Sequence, residues 1–418
     1  MSYLNKVGTN LVEDRTLWAI SLGHAVTHWY PVIFYLVLPL ISRELGISYT
    51  QVGLIITARY VVSTVANIPA GMLVDMAGRR MQLLIVALFW VGLPYLFIAL
   101  CSNYWAILLA AAAIGIGNNL WHPAAIATLG DLYPKRRGWA IGIHSTAANC
   151  GDALGPIVAG ALLVTLTWQE MLTVNIIPGI VTALFIYFIL KGHNPKSSKS
   201  SDDLGGRQSL NKGLSLGEYI QGFKLFFKNI SFLILITVSS VRSMVQNSLV
   251  VFLPIYLINT LGFSTVTAGF YLGLMQLAGG LASPLSGYFS DRKGRKLIVF
   301  SGLLVSGASI FIMVLVKDKL MFAVSIAFLG FFLYSLRPVV LAWITEITPR
   351  EMGGTAIGLT FGVQSFCNIF TPVICGIIAD LWGVTTIFYF ISALILVANI
   401  PLVFIRDQCE EKTKGISV

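Results

Sequence analysis

Gly71-Met72-Leu73-Val74-Asp75-Met76-Ala77-Gly78-Arg79-Arg80 recurs as Gly287-Tyr288-Phe289-Ser290-Asp291-Arg292-Lys293-Gly294-Arg295-Lys296, with the glycines, the aspartate and the basic pair at the same spacing. The offset of about 216 residues is kept to within about one residue elsewhere. His122-Pro123 matches Arg337-Pro338, Asp131 matches Glu346, Ala140-Ile141-Gly142 matches Ala356-Ile357-Gly358, and Pro156 matches Pro372. A repeat of this length marks a duplicated structural unit.

The segments around the repeat are apolar. The chain of 418 residues is 56% hydrophobic and 11% charged, a balance that calls for a bilayer as solvent. A spanning helix needs about 20 apolar residues. Such runs fall at about 17 to 41, 50 to 74, 81 to 100, 103 to 130, 138 to 166 and 171 to 191, and again at about 230 to 258, 265 to 289, 297 to 316, 320 to 346, 354 to 380 and 384 to 405. The pattern predicts an all-α membrane protein of twelve transmembrane helices in two pseudo-symmetric six-helix bundles, residues 1–191 and 230–418. A polar, Ser- and Lys-rich linker at 192–229 separates them, with one short interfacial helix expected near 216–227.

Basic residues orient the chain. The odd-numbered connections hold Arg43, Lys317 and Lys319, whereas the even-numbered ones hold Arg79, Arg80, Lys135, Arg136, Arg137, Arg292, Lys293, Arg295, Lys296 and Arg350. Positive charge collects in cytoplasmic loops, so both termini are expected in the cytoplasm. The net charge of +10 is thus a topology signal, and no nucleic-acid partner is expected. The first span is too long for a cleaved signal peptide, and the five cysteines lack paired or metal-type spacing.

The doubled Gly-x-x-x-Asp-x-x-Gly-Arg loop resembles the signature loop of the major facilitator superfamily. That resemblance implies a secondary transporter, with Gly71, Asp75, Gly78, Arg79, Gly287, Asp291, Gly294 and Arg295 governing conformational change. Gly151-Asp152-Ala153-Leu154-Gly155-Pro156 is similar to a motif of proton-coupled exporters of that family, giving Gly151, Gly155 and Pro156 a gating role. Gly115 to Pro123 and Ser21 to His24 resemble the fosmidomycin-resistance group of efflux proteins. Ala111 stands where drug exporters often carry an arginine, and His28 where the efflux group tends to carry an aspartate.

Charged residues inside spans carry the site. A cation at the bilayer centre costs about 2.5–3.5 kcal/mol on insertion scales, so Arg59, Arg242 and Arg337 call for partners or a wet cavity. His24 and His28 lie one turn apart, and His122 sits in mid-span. The resemblance implies that helices one, four, seven and ten line the central cavity, which places His24, His28, His122, Arg242 and Arg337 on it. Guanidinium groups suit an anionic ligand, so His24, His28, Arg59, His122, Arg242 and Arg337 are the expected substrate-binding residues. His24, His28 and Asp152 are the expected proton carriers, because imidazole titrates near neutrality.

The expected activity is proton-coupled export of a small organic anion or anionic drug from a prokaryotic cytoplasmic membrane, by a monomer. Import or uniport of an anionic metabolite is an alternative, and a transporter-like sensor or assembly protein another. No nucleophile with a base and no nucleotide loop appears, so no enzyme is expected and no cofactor. No metal is expected either: two histidines at i, i+4 lack further ligands from Cys or Glu, and arginines repel a cation.

Overall fold

The computed structural model describes residues 15–77, 80–133, 136–190, 226–316, 318–348 and 352–405. The helices are α1 (Arg15–Leu45), α2 (Tyr49–Ala77), α3 (Arg80–Leu100), α4 (Tyr104–Leu132), α5 (Arg137–Leu162), α6 (Trp168–Ile189), α7 (Ile230–Thr260), α8 (Thr265–Lys293), α9 (Arg295–Leu315), α10 (Lys319–Glu346), α11 (Gly353–Trp382) and α12 (Val384–Phe404). Their starts are encoded locally. Asn103, Asn229, Ser264 and Asp318 each accept a backbone N–H in the first turn, and Thr167 with Glu170 forms a capping box, satisfying donors that a helix start leaves open. The linker helix expected near 216–227 lies almost wholly outside the described residues.

Among the described residues, ten of these helices are long and apolar enough to cross a membrane. The two outside that set are α2 and α5, of 29 and 26 residues. Both lie at the seam between the first six helices and the last six. There Gly53 of α2 meets Pro372 of α11, and Gly269 of α8 meets Pro156 of α5. Elsewhere Trp105, Phe188 and Phe404 are 70%, 69% and 79% exposed, a surface suited to lipid.

The duplication is visible in the ion pairs. Arg80 at the start of α3 pairs with Asp131 at the end of α4, and Arg295 at the start of α9 pairs with Glu346 at the end of α10 at 2.8 Å. Both pairs join residues 51 apart in sequence. Arg80 thus makes in the first six helices the pair that Arg295 makes in the last six. Asp291 joins the second pair at 2.5 Å from Arg295, and Gly294, at φ 94°, makes the sharp α8–α9 turn that an L side chain would strain. Gly71 and Asp75 fall within α2, while Gly78 and Arg79 lie outside the described residues.

Helix spacing along the seam is graded. A Cβ placed on Gly269, Gly273 or Gly280 of α8 would lie 2.1, 2.5 and 3.4 Å from the nearest atom of α5, and one on Gly287 would meet nothing within 4 Å. On α11 the same series runs from Gly376, 2.4 Å from the Tyr49 carbonyl, to Gly362 and Gly358, with nothing within 4 Å. The two sets of six helices thus converge at one face and diverge toward the face bearing the Arg80 and Arg295 pairs. At the closed face Asp380 accepts from the Tyr49 and Thr50 backbone N–H groups, each at 2.8 Å, and Arg43 donates to the Ile258 carbonyl at 3.2 Å.

Within the last six helices the tightest approach is Gly330 of α10, whose Cβ would lie 2.1 Å from the Met275 carbonyl of α8. Gly330→Val is expected to destabilise the protein by ~1–3 kcal/mol through overpacking. The check is a lower melting temperature in detergent, with Gly358→Ala, on the open side, close to the wild type.

Candidate functional site

The site is built from α1, α4 and α5 on one side of the seam and α7 and α10 on the other. Gly151 and Gly155 let α5 press on α1: a Cβ on Gly151 would lie 2.0 Å from the Ala25 carbonyl, and one on Gly155 2.7 Å from Val32. That contact brings together four histidines. His24 is 4.7 Å from His28 and 5.1 Å from His122 between ring centroids, and it stacks on His144 at 3.8 Å. His28 lies 5.9 Å from His122. His24 Nδ1 donates to the His144 carbonyl at 2.7 Å, and His28 Nδ1 donates to Asp152 Oδ2 at 3.0 Å. Carbonyl and carboxylate oxygens only accept, so both rings carry a proton on Nδ1, and in its neutral form each ring has its lone pair on Nε2.

Arg242 and Arg337 come from the other side. Arg242 is 2% exposed and donates from Nη1 to Gln246 at 2.7 Å, while its Nε is buried without a hydrogen bond. Arg337 is exposed toward the open face and packs its guanidinium over Phe361, 5.6 Å from the ring centroid. The two cations lie within electrostatic range of each other, and Arg337 also reaches His122 and Asp152. Among the described residues neither arginine forms an ion pair with a carboxylate. Asp152 at His28 is the acid closest in reach, and it belongs to the histidine cluster.

Arg59 occupies a different environment. It donates to the Tyr35 hydroxyl and lies 5.7 Å from the Tyr35 and Tyr60 ring centroids, with Tyr95 also in electrostatic range. Aromatic faces stabilise a guanidinium without neutralising it. The expected six residues thus divide into a histidine cluster, an arginine pair and this tyrosine cage.

Three participants escape sequence reasoning. His144 stacks on His24 although they stand 120 residues apart, and nothing in its local sequence signals that. Tyr334, whose buried hydroxyl has no hydrogen-bond partner, lies within range of Asp152 and Arg242; its position one turn before Arg337 is a signal in hindsight. Tyr35 lies two turns beyond His28 on α1. Asn119 donates to the Ser63 and Gly115 carbonyls, Gln364 to Ser239 and Asn368 to Ser243.

A family model for the Major Facilitator Superfamily matches residues 20–318 and 274–416. The chain belongs to that superfamily, and it is a multi-pass membrane transporter, not an enzyme. It is 24% identical to the fosmidomycin resistance protein of Escherichia coli over 94% of this chain and 93% of that one. It is also 24% identical to a probable hexose phosphate transport protein of Chlamydia trachomatis, over 92% of this chain and 89% of that one. Its fold is similar to the crystal structure of a bacterial homologue of the human lysosomal transporter Spinster, with a TM-score of 0.78 at 16% identity, over 93% and 95% of the two chains.

Proposed function

We propose that the protein is a proton-coupled secondary transporter that exports a small organic anion across a prokaryotic cytoplasmic membrane by alternating access. The observation that carries this reading is the pair Arg242 and Arg337, two cations at one depth with no carboxylate partner among the described residues. Two guanidinium groups without an ion-pair partner among the described residues await a ligand that supplies the negative charge, and their forked donors suit carboxylate or phosphate oxygens. The relative named for hexose phosphate transport is consistent with an anionic cargo.

His28 and Asp152 face this pair across the seam and serve as the proton-exchanging group, with His24 beside them. In this reading residues 1–191 and 230–418 act as two six-helix bundles that rock about the site. With twelve spans and cytoplasmic termini, the open face is cytoplasmic, so the conformation described is inward-open and ready to load cargo for export. The fosmidomycin resistance relative and the Gly151–Pro156 strip favour that direction. A monomer suffices, because one chain supplies both sides of the site.

Liposomes holding the purified protein test this with imposed pH gradients and a panel of labelled hexose phosphates, hexuronates and phosphonates beside neutral hexoses. The expected result is flux of at least one anion that reverses with the gradient and collapses with a protonophore. Flux confined to neutral sugars, or anion flux indifferent to the gradient, would count against the proposal.

A further inference from the structure

We propose that His24, His28 and His122 form a binding site for a divalent transition cation of the zinc class, held in register by Asp152 and the backbone carbonyl of His144. The three rings each offer a nitrogen, and these atoms lie within 4.8 Å of one another. Zinc–nitrogen bonds of about 2.0–2.1 Å place tetrahedral ligand nitrogens ~3.3 Å apart, so each ring needs to move by less than ~1 Å to close on an ion. The third ligand is the one that helix one alone lacks, and it comes from α4.

The orientation of the rings argues for a metal more strongly than their proximity. A histidine that binds a metal through one nitrogen usually donates its other N–H to a carboxylate or a backbone carbonyl, which fixes both tautomer and tilt. His28 does this to Asp152 and His24 does it to the His144 carbonyl. The remaining nitrogen of His24, Nε2, is buried and has no hydrogen-bond partner. An unpartnered buried acceptor beside two further imidazoles is a set of lone pairs without a centre. A ligand set of three neutral imidazoles suits zinc, copper or nickel and disfavours magnesium and calcium, which prefer oxygen.

The surrounding charges set the strength of the site. From α5 the carboxylate of Asp152 favours a cation, and from α10 Arg337, in range of His122, opposes it. Arg242 on α7 is one step further, coupled to Arg337. Three protein ligands leave a fourth tetrahedral position for water or an anion, and the arginines bias it toward an anion. The cation and the transported proton compete for the same nitrogens, so bound metal is expected to slow proton-coupled flux. The site itself needs neither arginine and stands apart from the anion reading.

The test uses the full chain in detergent micelles, with any affinity tag removed, titrated with zinc chloride by calorimetry and with cobalt chloride by visible absorption. One ion per chain and the intense visible bands of tetrahedral cobalt are expected. His122→Ala removes a ligand and is expected to abolish the cobalt bands. Asp152→Asn keeps all three ligands and is expected to weaken zinc binding by about 10–100-fold. Arg337→Ala is expected to tighten it while losing anion flux, which separates failure of this site from failure of the transport proposal. Absence of saturable one-to-one binding, or an affinity unchanged in both His122→Ala and Asp152→Asn, would overturn the site.

Discussion

Replacing Arg337 or Arg242 by alanine is expected to lower the initial rate of anion flux by one to two orders of magnitude, while leaving the fold intact. Hydrogen bonds to charged groups contribute about 1.5–3 kcal/mol, which corresponds to roughly 10–150-fold per arginine. Arg337→Lys keeps the charge and loses the planar fork, so an intermediate rate is expected if two oxygens of the cargo are held together.

Arg242 allows a sharper test, because the residue is 2% exposed and, among the described residues, Gln246 is its one hydrogen-bond partner. A buried cation without a counter-ion destabilises its own protein. Arg242→Met is therefore expected to melt no lower than the wild type and to transport poorly. A variant that melts much lower would assign Arg242 to structure, and undiminished flux in both alanine variants would remove the arginines from the site.

The second large effect concerns the seam. Gly376→Leu places a side chain where a Cβ alone would lie 2.4 Å from the Tyr49 carbonyl and 2.7 Å from the Thr50 Cα. The closed face cannot form around it, and the Asp380 hydrogen bonds to Tyr49 and Thr50 are lost with it. Overpacking costs of about 1–3 kcal/mol are enough to shift a two-state equilibrium by roughly 5–150-fold. Gly362→Leu points into open space in this conformation and clashes only when the opposite face closes.

The two variants are thus expected to bias the protein in opposite directions. Spin-label distances across each face check this: Gly376→Leu should lengthen distances at the Asp380 face, and Gly362→Leu should hold the wild-type pattern with its population raised. Both should slow flux, since either trap blocks the cycle. Identical distance distributions in the two variants would mean that the spacing gradient along α8 and α11 does not report a gate.

Much of this architecture is legible in the sequence because it is periodic or repeated. The apolar runs coincide with the ten helices long and apolar enough to cross a membrane among the described residues, and the recurring Gly-Asp-Gly-basic loop points to which helices are equivalent. That Arg80 pairs with Asp131 as Arg295 pairs with Glu346 needed coordinates, since each pair joins two different helices. The depth of Arg242 and Arg337 within their spans is likewise a matter of counting along a helix. What counting along one helix does not give is the partner across a gap. His144 reads as an ordinary residue of α5, yet it stacks on His24, and Arg59 of α2 donates to Tyr35 of α1, a partner its own helix does not reveal.

The sequence by itself determined that the chain is a bundle of membrane helices with a repeated loop and that its intramembrane cations and imidazoles fall near one depth. Local rules suffice for that: helix periodicity, the cost of charge in lipid, and the spacing of a repeated loop. The tertiary structure decided which polar groups meet. Glycines at positions 151 and 155 let α5 close on α1 to within backbone contact, and that contact assembles the histidine cluster and seats Asp152 on His28. It also decided which face is open, because closure depends on how tightly α2 meets α11 and α5 meets α8, a property of paired surfaces that no single segment encodes.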